Sequence, residues 1–305
     1  MFKKIGIGFK IALDSIKFLI QNPKTLFSIL LFWANLLLFS GLGYLLLYLS
    51  DKNIQILSDV SAFLLVFIVF SMVSFSISIA SITLIEMLKQ FELDSNISIK
   101  LALYRTYRFH IWKSLPIILV WSIIILFIRV IQVIITTIIY LITSAFRLDF
   151  DFSLNISGSF FNLLTKGLRF YMMFVLPFIV WNNQSTIKAM YKAWKAIRTT
   201  WQEIIGAIIA SNILTSIVIL PVILIYFFFV NDSSNQDLLF MIFLILSCIV
   251  FSFSILIQQV YITNIFIWYN NWEDALIIAK ANNELLPDIE EIERPSLLGD
   301  LSNSY

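Results

Sequence analysis

Hydrophobic residues are gathered in long uncharged runs along this chain and do not alternate with polar ones. Crossing a hydrocarbon core about 30 Å thick takes about 20 apolar residues at a helical rise of about 1.5 Å each. Four uncharged runs of 26 to 32 residues exceed that length: Thr25–Ser50, Val60–Ile85, Ile204–Val230 and Leu238–Tyr269. Each of the four predicts a transmembrane helix.

The middle of the chain carries two shorter apolar runs. Ser114–Ile128 stops at Arg129, and Phe170–Trp181 starts directly after Arg169. We interpret them as a third and a fourth span with polar outer ends, which gives six spans in all.

The stretch between these two spans is too apolar for a loop in water. Val130–Phe146 contains no charged residue. It predicts a re-entrant, interfacial or oligomer-packed helix, and extension of the third span is left open. Residues 130–165 are predicted to form a cap in the outer leaflet.

Each pair of spans follows a basic amphipathic segment. In the first segment Lys3, Lys10 and Lys17 recur every seven residues on one helical face. The second and third segments match each other, because Ala102-Leu103-Tyr104-Arg105-Thr106-Tyr107-Arg108 has the same pattern as Ala189-Met190-Tyr191-Lys192-Ala193-Trp194-Lys195.

The predicted fold class is therefore all-α, a polytopic transmembrane bundle of six spans in which a basic amphipathic interfacial helix precedes each hairpin. The membrane domain covers residues 1–270, as three units at 1–93, 94–182 and 183–270. Residues 271–305 form an acidic cytoplasmic tail, predicted to be a short helix followed by a disordered stretch.

This order of elements resembles an uncharacterised family of bacterial and archaeal six-span membrane proteins, a domain of unknown function. The resemblance rests on the basic N-terminal helix, Pro177 in the fourth span, Arg129 at the end of the third, and a following helix with Ala189, Ala193, Trp194 and Trp201. It covers about residues 1–270 and implies the fold and a membrane location. It implies no activity and no catalytic residue.

Composition agrees with a membrane location, and charge adds an orientation. The chain is 60% hydrophobic and 13% charged, whereas soluble domains have about 25% charged residues. With six spans, 16 of the 21 cations fall in segments on one side and only Lys52 and Arg147 on the other. Positively charged loops stay in the cytoplasm, so a bacterial-type inner membrane with both termini cytoplasmic is predicted.

Three cations remain at membrane depth. Arg129, Lys166 and Arg169, with Gln132 one turn beyond Arg129, fall at a similar predicted level near the outer leaflet. Charge at this depth points to function by default, so the layer is a candidate anion or lipid site. A purely structural anchor is the alternative.

Two further sets of residues have predicted roles in the membrane. We expect eight cations to face anionic lipid headgroups on the cytoplasmic side: Lys3, Lys10, Lys17, Arg105, Arg108, Lys192, Lys195 and Arg198. Four small hydroxyl residues spaced for one helical face are expected to pack helices closely, with a polar pore lining as the alternative: Ser71, Ser74, Ser78 and Ser81.

The sequence offers little to catalysis. One Cys and one His provide neither a disulfide nor a zinc site within the chain, and His110 is interpreted as an interfacial anchor. No Asp, Glu or His falls inside a predicted span, so we expect no enzyme, no metal and no cofactor. Nucleic acid is not an expected partner.

The favoured function is a non-enzymatic inner-membrane protein that acts through membrane lipids, a homo-oligomer or another membrane protein. A transporter or channel for a small or anionic solute or a lipid, built on the Arg129, Lys166 and Arg169 layer, is the alternative. The tail, with a net charge of −6, is expected to dock on the basic segments.

Overall fold

The computed structural model describes residues 2–50, 58–94, 96–146, 150–230 and 236–292. Within these ranges lie eight α-helices: α1 (Phe2–Gln21), α2 (Phe27–Ser50), α3 (Ser58–Asp94), α4 (Ile99–Arg105), α5 (Ile111–Phe146), α6 (Phe150–Val180), α7 (Thr186–Val230) and α8 (Gln236–Asn282). A π-helical turn, Thr106–His110, joins α4 to α5, and 3-10 turns occupy Pro23–Leu26 and Ile289–Glu291.

The all-α fold is confirmed, since the described ranges contain no strand. Four helical stretches among the described residues have the length and apolar character of a membrane span: Phe67–Leu93, Ile99–Ile138, Thr186–Pro221 and Phe240–Asn282. Counting the bent pair Lys4–Gln21 and Pro23–Phe39 as one span gives up to five. The chain is thus an integral membrane protein by its helices, and the number six stays a prediction.

Each basic segment contains, or is followed by, an irregularity in the helix. The axis turns by 95° between α1 and the helix that begins at Pro23, a residue that cannot continue a helix. The π-turn at Thr106–His110 precedes α5. In α7, Thr200 has non-helical torsions (φ −113°, ψ 21°) and its hydroxyl donates to the Ala196 carbonyl.

The predicted outer cap is part of two long helices. Residues 130–146 continue α5 without interruption, which makes them an extension of the third span. With 36 residues α5 is about 54 Å long, well beyond a hydrocarbon core of about 30 Å. Residues 150–165 likewise begin α6.

The second half of α8 is the centre of the bundle. All sixteen residues from 254 to 269 are buried, so this part of the helix has no face to lipid or water. It is packed against α1, α2, α3, α6 and α7. Large side chains such as Tyr261, Phe266 and Tyr269 fill the core there, together with Phe178 from α6.

Helices α1 and α7 cross at glycines. A Cβ atom on Gly8 would overlap the carbonyl oxygen of Glu203, and one on Gly206 would overlap that of Ile5. The two backbones are therefore in direct contact, as small residues allow in membrane helices. This crossing fixes the N-terminal helix on the bundle.

Candidate functional site

The three basic segments meet at one end of the bundle. Lys24 donates to the Ile97 carbonyl at 3.2 Å, which joins the end of α1 to the start of α4. Lys113 donates to Asn183 Oδ1 at 2.5 Å, which joins the start of α5 to the start of α7. This end is the one predicted to be cytoplasmic.

The two segments that match in sequence also match in burial. Ala102 and Ala189, at the first position, are both fully buried, whereas Tyr104 and Tyr191 two residues later are exposed. The last two positions, aromatic and basic, are exposed in both segments. The repeated pattern therefore creates two equivalent amphipathic faces.

The inner basic residue of each segment is neutralised by a buried or half-buried acid. Arg105 Nη1 lies 2.7 Å from Glu86 Oε1, and Lys192 Nζ lies 2.9 Å from Glu273 Oε2. Lys195 is also within 3.7 Å of Glu273 but stays exposed. The acids thus hold one cation of each segment against the bundle.

Two exposed cations lie over aromatic rings, Arg108 in the second segment and Arg198 just after the third. The Arg108 guanidinium is 5.3 Å from the centre of the Tyr104 ring and 5.5 Å from that of Phe109. Arg198 lies 5.8 Å from the Trp194 ring. Cation and aromatic face together are the composition found at lipid headgroups.

We call this surface the basic collar and define it by five exposed cations and six exposed aromatic residues: Lys10, Lys17, Arg108, Lys195 and Arg198, with Tyr104, Tyr107, Phe109, Trp112, Tyr191 and Trp194. Of the eight cations predicted to face headgroups, Arg105 and Lys192 are therefore half-buried in ion pairs. The side chain of Lys3 lies outside the described residues.

Glu86 is the centre of a group of polar side chains that the sequence did not predict. We call this group, Glu86 with Thr83, Arg105, Thr106 and His110, the Glu86 cluster. Glu86 follows the predicted second span Val60–Ile85 by one residue, lies in α3 and is fully buried. His110, expected at the interface, is also buried, with Nε2 3.5 Å from Glu86 Oε2. A carboxylate next to Ile85 with Lys89 one turn later was the available signal.

The Glu86 cluster lies beside an unusual piece of backbone. Thr106 and His110 belong to the π-turn, and the Thr83 hydroxyl of α3 is 3.2 Å from that of Thr106. π-Turns inside helices occur frequently at functional sites. Lys89 points elsewhere and donates to the Val180 and Trp181 carbonyls, which caps the end of α6.

In the predicted outer layer, Arg129 and Arg169 have different hydrogen-bond partners. Arg129 donates to Gln132 on its own helix at 2.7 Å. Arg169 is half-buried and reaches across to Gln258 of α8 at 3.1 Å. Lys166 is exposed.

Polar groups continue along the buried half of α8. Gln259 donates to the Met173 carbonyl at 3.3 Å, and Asn264 lies 3.5 Å from the Ser15 hydroxyl of α1. Among the described residues, the Gln259 Oε1, Tyr261 hydroxyl and Asn264 Oδ1 atoms have no hydrogen-bond partner within the chain. Buried polar atoms without a partner invite water or a ligand.

Of the four serines predicted to pack helices closely, three lie in the core and one lines a groove. Ser74, Ser78 and Ser81 are buried, and Ser78 donates to the Ser74 carbonyl within α3. Ser71 instead lines an apolar groove of about 320 Å³ between α2, α3 and α5. Its hydroxyl has no hydrogen-bond partner.

Within the described residues, His, Cys, Asp and Glu side chains form no group of three that could hold a metal ion. No model of a known protein family matches this chain, and no curated protein is similar to it. The resemblance to the uncharacterised six-span family therefore stays a prediction.

Proposed function

We propose that this chain is a non-enzymatic inner-membrane protein that binds anionic lipid headgroups through the basic collar on its cytoplasmic side. One observation carries the proposal: both matched segments neutralise their inner cation against the bundle and leave cations and aromatic rings exposed on the same face. A repeated exposed pattern of this kind indicates a surface that is used.

The charge of the collar is sufficient for lipid selection. Each cation near an anionic membrane surface contributes about 1 kcal/mol. Five exposed cations could therefore contribute up to about 5 kcal/mol, and the aromatic rings anchor the surface at headgroup depth.

The test is the lipid composition that the protein retains. The protein would be reconstituted in equimolar phosphatidylglycerol and phosphatidylcholine, extracted in mild detergent, and its bound lipids quantified. We expect enrichment of phosphatidylglycerol, which disappears when the five collar cations are all replaced by Gln. Lys166→Gln, which removes an exposed cation outside the collar, is the control and should keep the enrichment. Equal retention of both lipids by the wild-type protein would contradict the proposal.

Transport is the second candidate, favoured by the polar groups in the bundle. Arg169 reaches Gln258 in the same region where the Tyr261 hydroxyl and Gln259 Oε1 have no partner among the described residues. Buried cations and polar groups between helices mark substrate paths in transporters.

Anion flux separates this candidate from the first. Under transport, proteoliposomes loaded with inorganic phosphate should leak it through the wild-type protein, and the Arg129→Gln, Lys166→Gln and Arg169→Gln triple variant should stop the leak. Arg198→Gln, on the collar, is the control and should leave the flux unchanged. Wild-type flux no higher than that of phosphate-loaded vesicles without protein would contradict phosphate transport.

A further inference from the structure

The groove between α2, α3 and α5 opens along the same helix that carries part of the basic collar. Its walls are apolar and include Phe39, Met72, Phe75, Leu115 and Leu119. The centres of the Phe39 and Phe75 rings lie 5.6 Å apart in an edge-to-face arrangement, which joins α2 to α3 at one wall. A volume of about 320 Å³ is within the range of small-molecule sites.

The residues that lead to the groove follow the order of the parts of a phospholipid, from charged headgroup to acyl chain. The chain path passes through Arg108 in the π-turn and then through Trp112, Leu115 and Leu119, which follow in α5 at spacings of three and four; Arg108, Trp112 and Leu119 are exposed. The path runs from a cation through an interfacial tryptophan to the groove. From Arg108 to Leu115 the rise is about 10 Å, the depth over which headgroup gives way to acyl chain.

Arg108 is available for a phosphate. Its guanidinium donates to the Tyr104 hydroxyl and lies over two rings, and among the described residues no carboxylate pairs with it. Arg105, one turn earlier, is already paired with Glu86. Charge therefore selects Arg108 for an anionic headgroup.

We propose that one anionic phospholipid binds here, with its phosphate at Arg108, its glycerol region beside Trp112 and one acyl chain in the groove. This site rests on the proposed function of the basic collar and defines one place at which it acts. A stoichiometric lipid replaces the general preference for anionic membrane with a specific position.

Native mass spectrometry of delipidated protein tests the site with phosphatidylglycerol and phosphatidylcholine of equal chain length. We expect one tightly bound phosphatidylglycerol per chain. Arg108→Gln should weaken its binding about fivefold, the equivalent of about 1 kcal/mol, and remove the preference over phosphatidylcholine. Ser71→Phe should fill the groove and weaken both lipids at least tenfold.

Matched variants serve as controls. Ser71→Ala leaves the groove volume nearly unchanged, and Lys188→Gln removes an exposed cation outside the basic collar; both should bind as the wild type does. If Ser71→Phe does not fold, Leu119→Trp narrows the groove from its exposed side, with Leu220→Trp on α7 as its control.

The outcomes distinguish this inference from the proposed function. If groove-filling variants and Arg108→Gln bind phosphatidylglycerol as the wild type does, the groove site is wrong. If the five-cation collar variant still loses phosphatidylglycerol in that case, the collar keeps its function without the groove. If the collar variant also binds normally, both are wrong.

Discussion

Single residues decide how closely the N-terminal helix approaches the bundle. Gly8 meets the backbone of α7 at Glu203 and Ala207, whereas Gly6, two residues earlier, has open space where its Cβ would be. Two glycines in one helix turn thus have different reasons to be there. Gly8 is required by contact, and Gly6 is tolerated at a cost in helix propensity.

We predict opposite effects for the two alanine substitutions. Gly8→Ala should lower the free energy of unfolding by about 1–3 kcal/mol, because the backbones must separate to admit a methyl group. Gly6→Ala should raise it by up to about 1 kcal/mol. Melting temperatures in one detergent compare the two, and equal shifts would contradict the crossing.

The Glu86 cluster predicts an asymmetry between its two main partners. The Glu86 side chain is 1% exposed, whereas that of Arg105 is 40% exposed. Removing Arg105 leaves a buried carboxylate with only His110 at 3.5 Å, while removing Glu86 leaves a cation that can reach water or headgroups.

Arg105→Gln should therefore destabilise the protein more than Glu86→Gln. We expect about 2–3 kcal/mol for the first and about 1 kcal/mol or less for the second. The double variant should be more stable than Arg105→Gln alone, since it carries no lone carboxylate. Thermal unfolding measures all three, and the reverse order would show that Arg105 is the dependent partner.

At the scale of elements, residues 287–292 of the tail form a docked segment. Trp268 and Trp272 of α8 donate from their indole nitrogens to the Ile292 and Pro287 carbonyls at 3.2 and 3.0 Å. Ile289, which lies between Pro287 and Ile292 in the sequence, is buried. Glu290 pairs with Lys4 at 3.3 Å, which agrees with the expectation that the acidic tail docks on a basic segment.

Ile289 should hold this segment and Leu285 should not. Leu285 is 96% exposed and Ile289 is 4% exposed. Ile289→Ala loses buried apolar contact and should raise the rate of protease cleavage within residues 283–292 at least tenfold. Leu285→Ala should leave that rate unchanged. Similar cleavage of both variants would mean that the segment does not dock.

The sequence predicted the helical elements well because apolar runs and basic segments are local patterns. Val130–Phe146 was harder, since an uncharged run of that length fits several placements, and only the continuous backbone of α5 selects one. Arg169 was predicted as a site residue and Glu86 was not, and the partner of neither could be predicted. Their partners Arg105 and Gln258 are 19 and 89 residues away, and only packing brings them together.

At the scale of the whole molecule, burial is concentrated at one end. The second half of α8 is buried on every face, whereas Phe240, Ile245 and Phe251 in its first half are exposed. The collar lies on the packed end, where Glu86 and Glu273 hold their cations. Exposed apolar helix then follows toward the opposite side, as lipid contact requires.

This polarity predicts which residues a membrane-impermeant reagent can label from outside the cell. The packed end carries the basic segments, and positively charged segments stay cytoplasmic, so Lys188 at the start of α7 should face the cytoplasm. Lys52, between the first two predicted spans, should face outward. The native Cys248 is replaced by Ala so that each test variant has one thiol.

In intact cells an impermeant maleimide should label Lys52→Cys and leave Lys188→Cys unlabelled until the membrane is permeabilised. The two variants are controls for each other, because each should be labelled in a condition that distinguishes the sides. The reverse result would place the collar on the outer surface. It would then face a leaflet other than the anionic one proposed here, and the lipid-binding function would lose its physical basis.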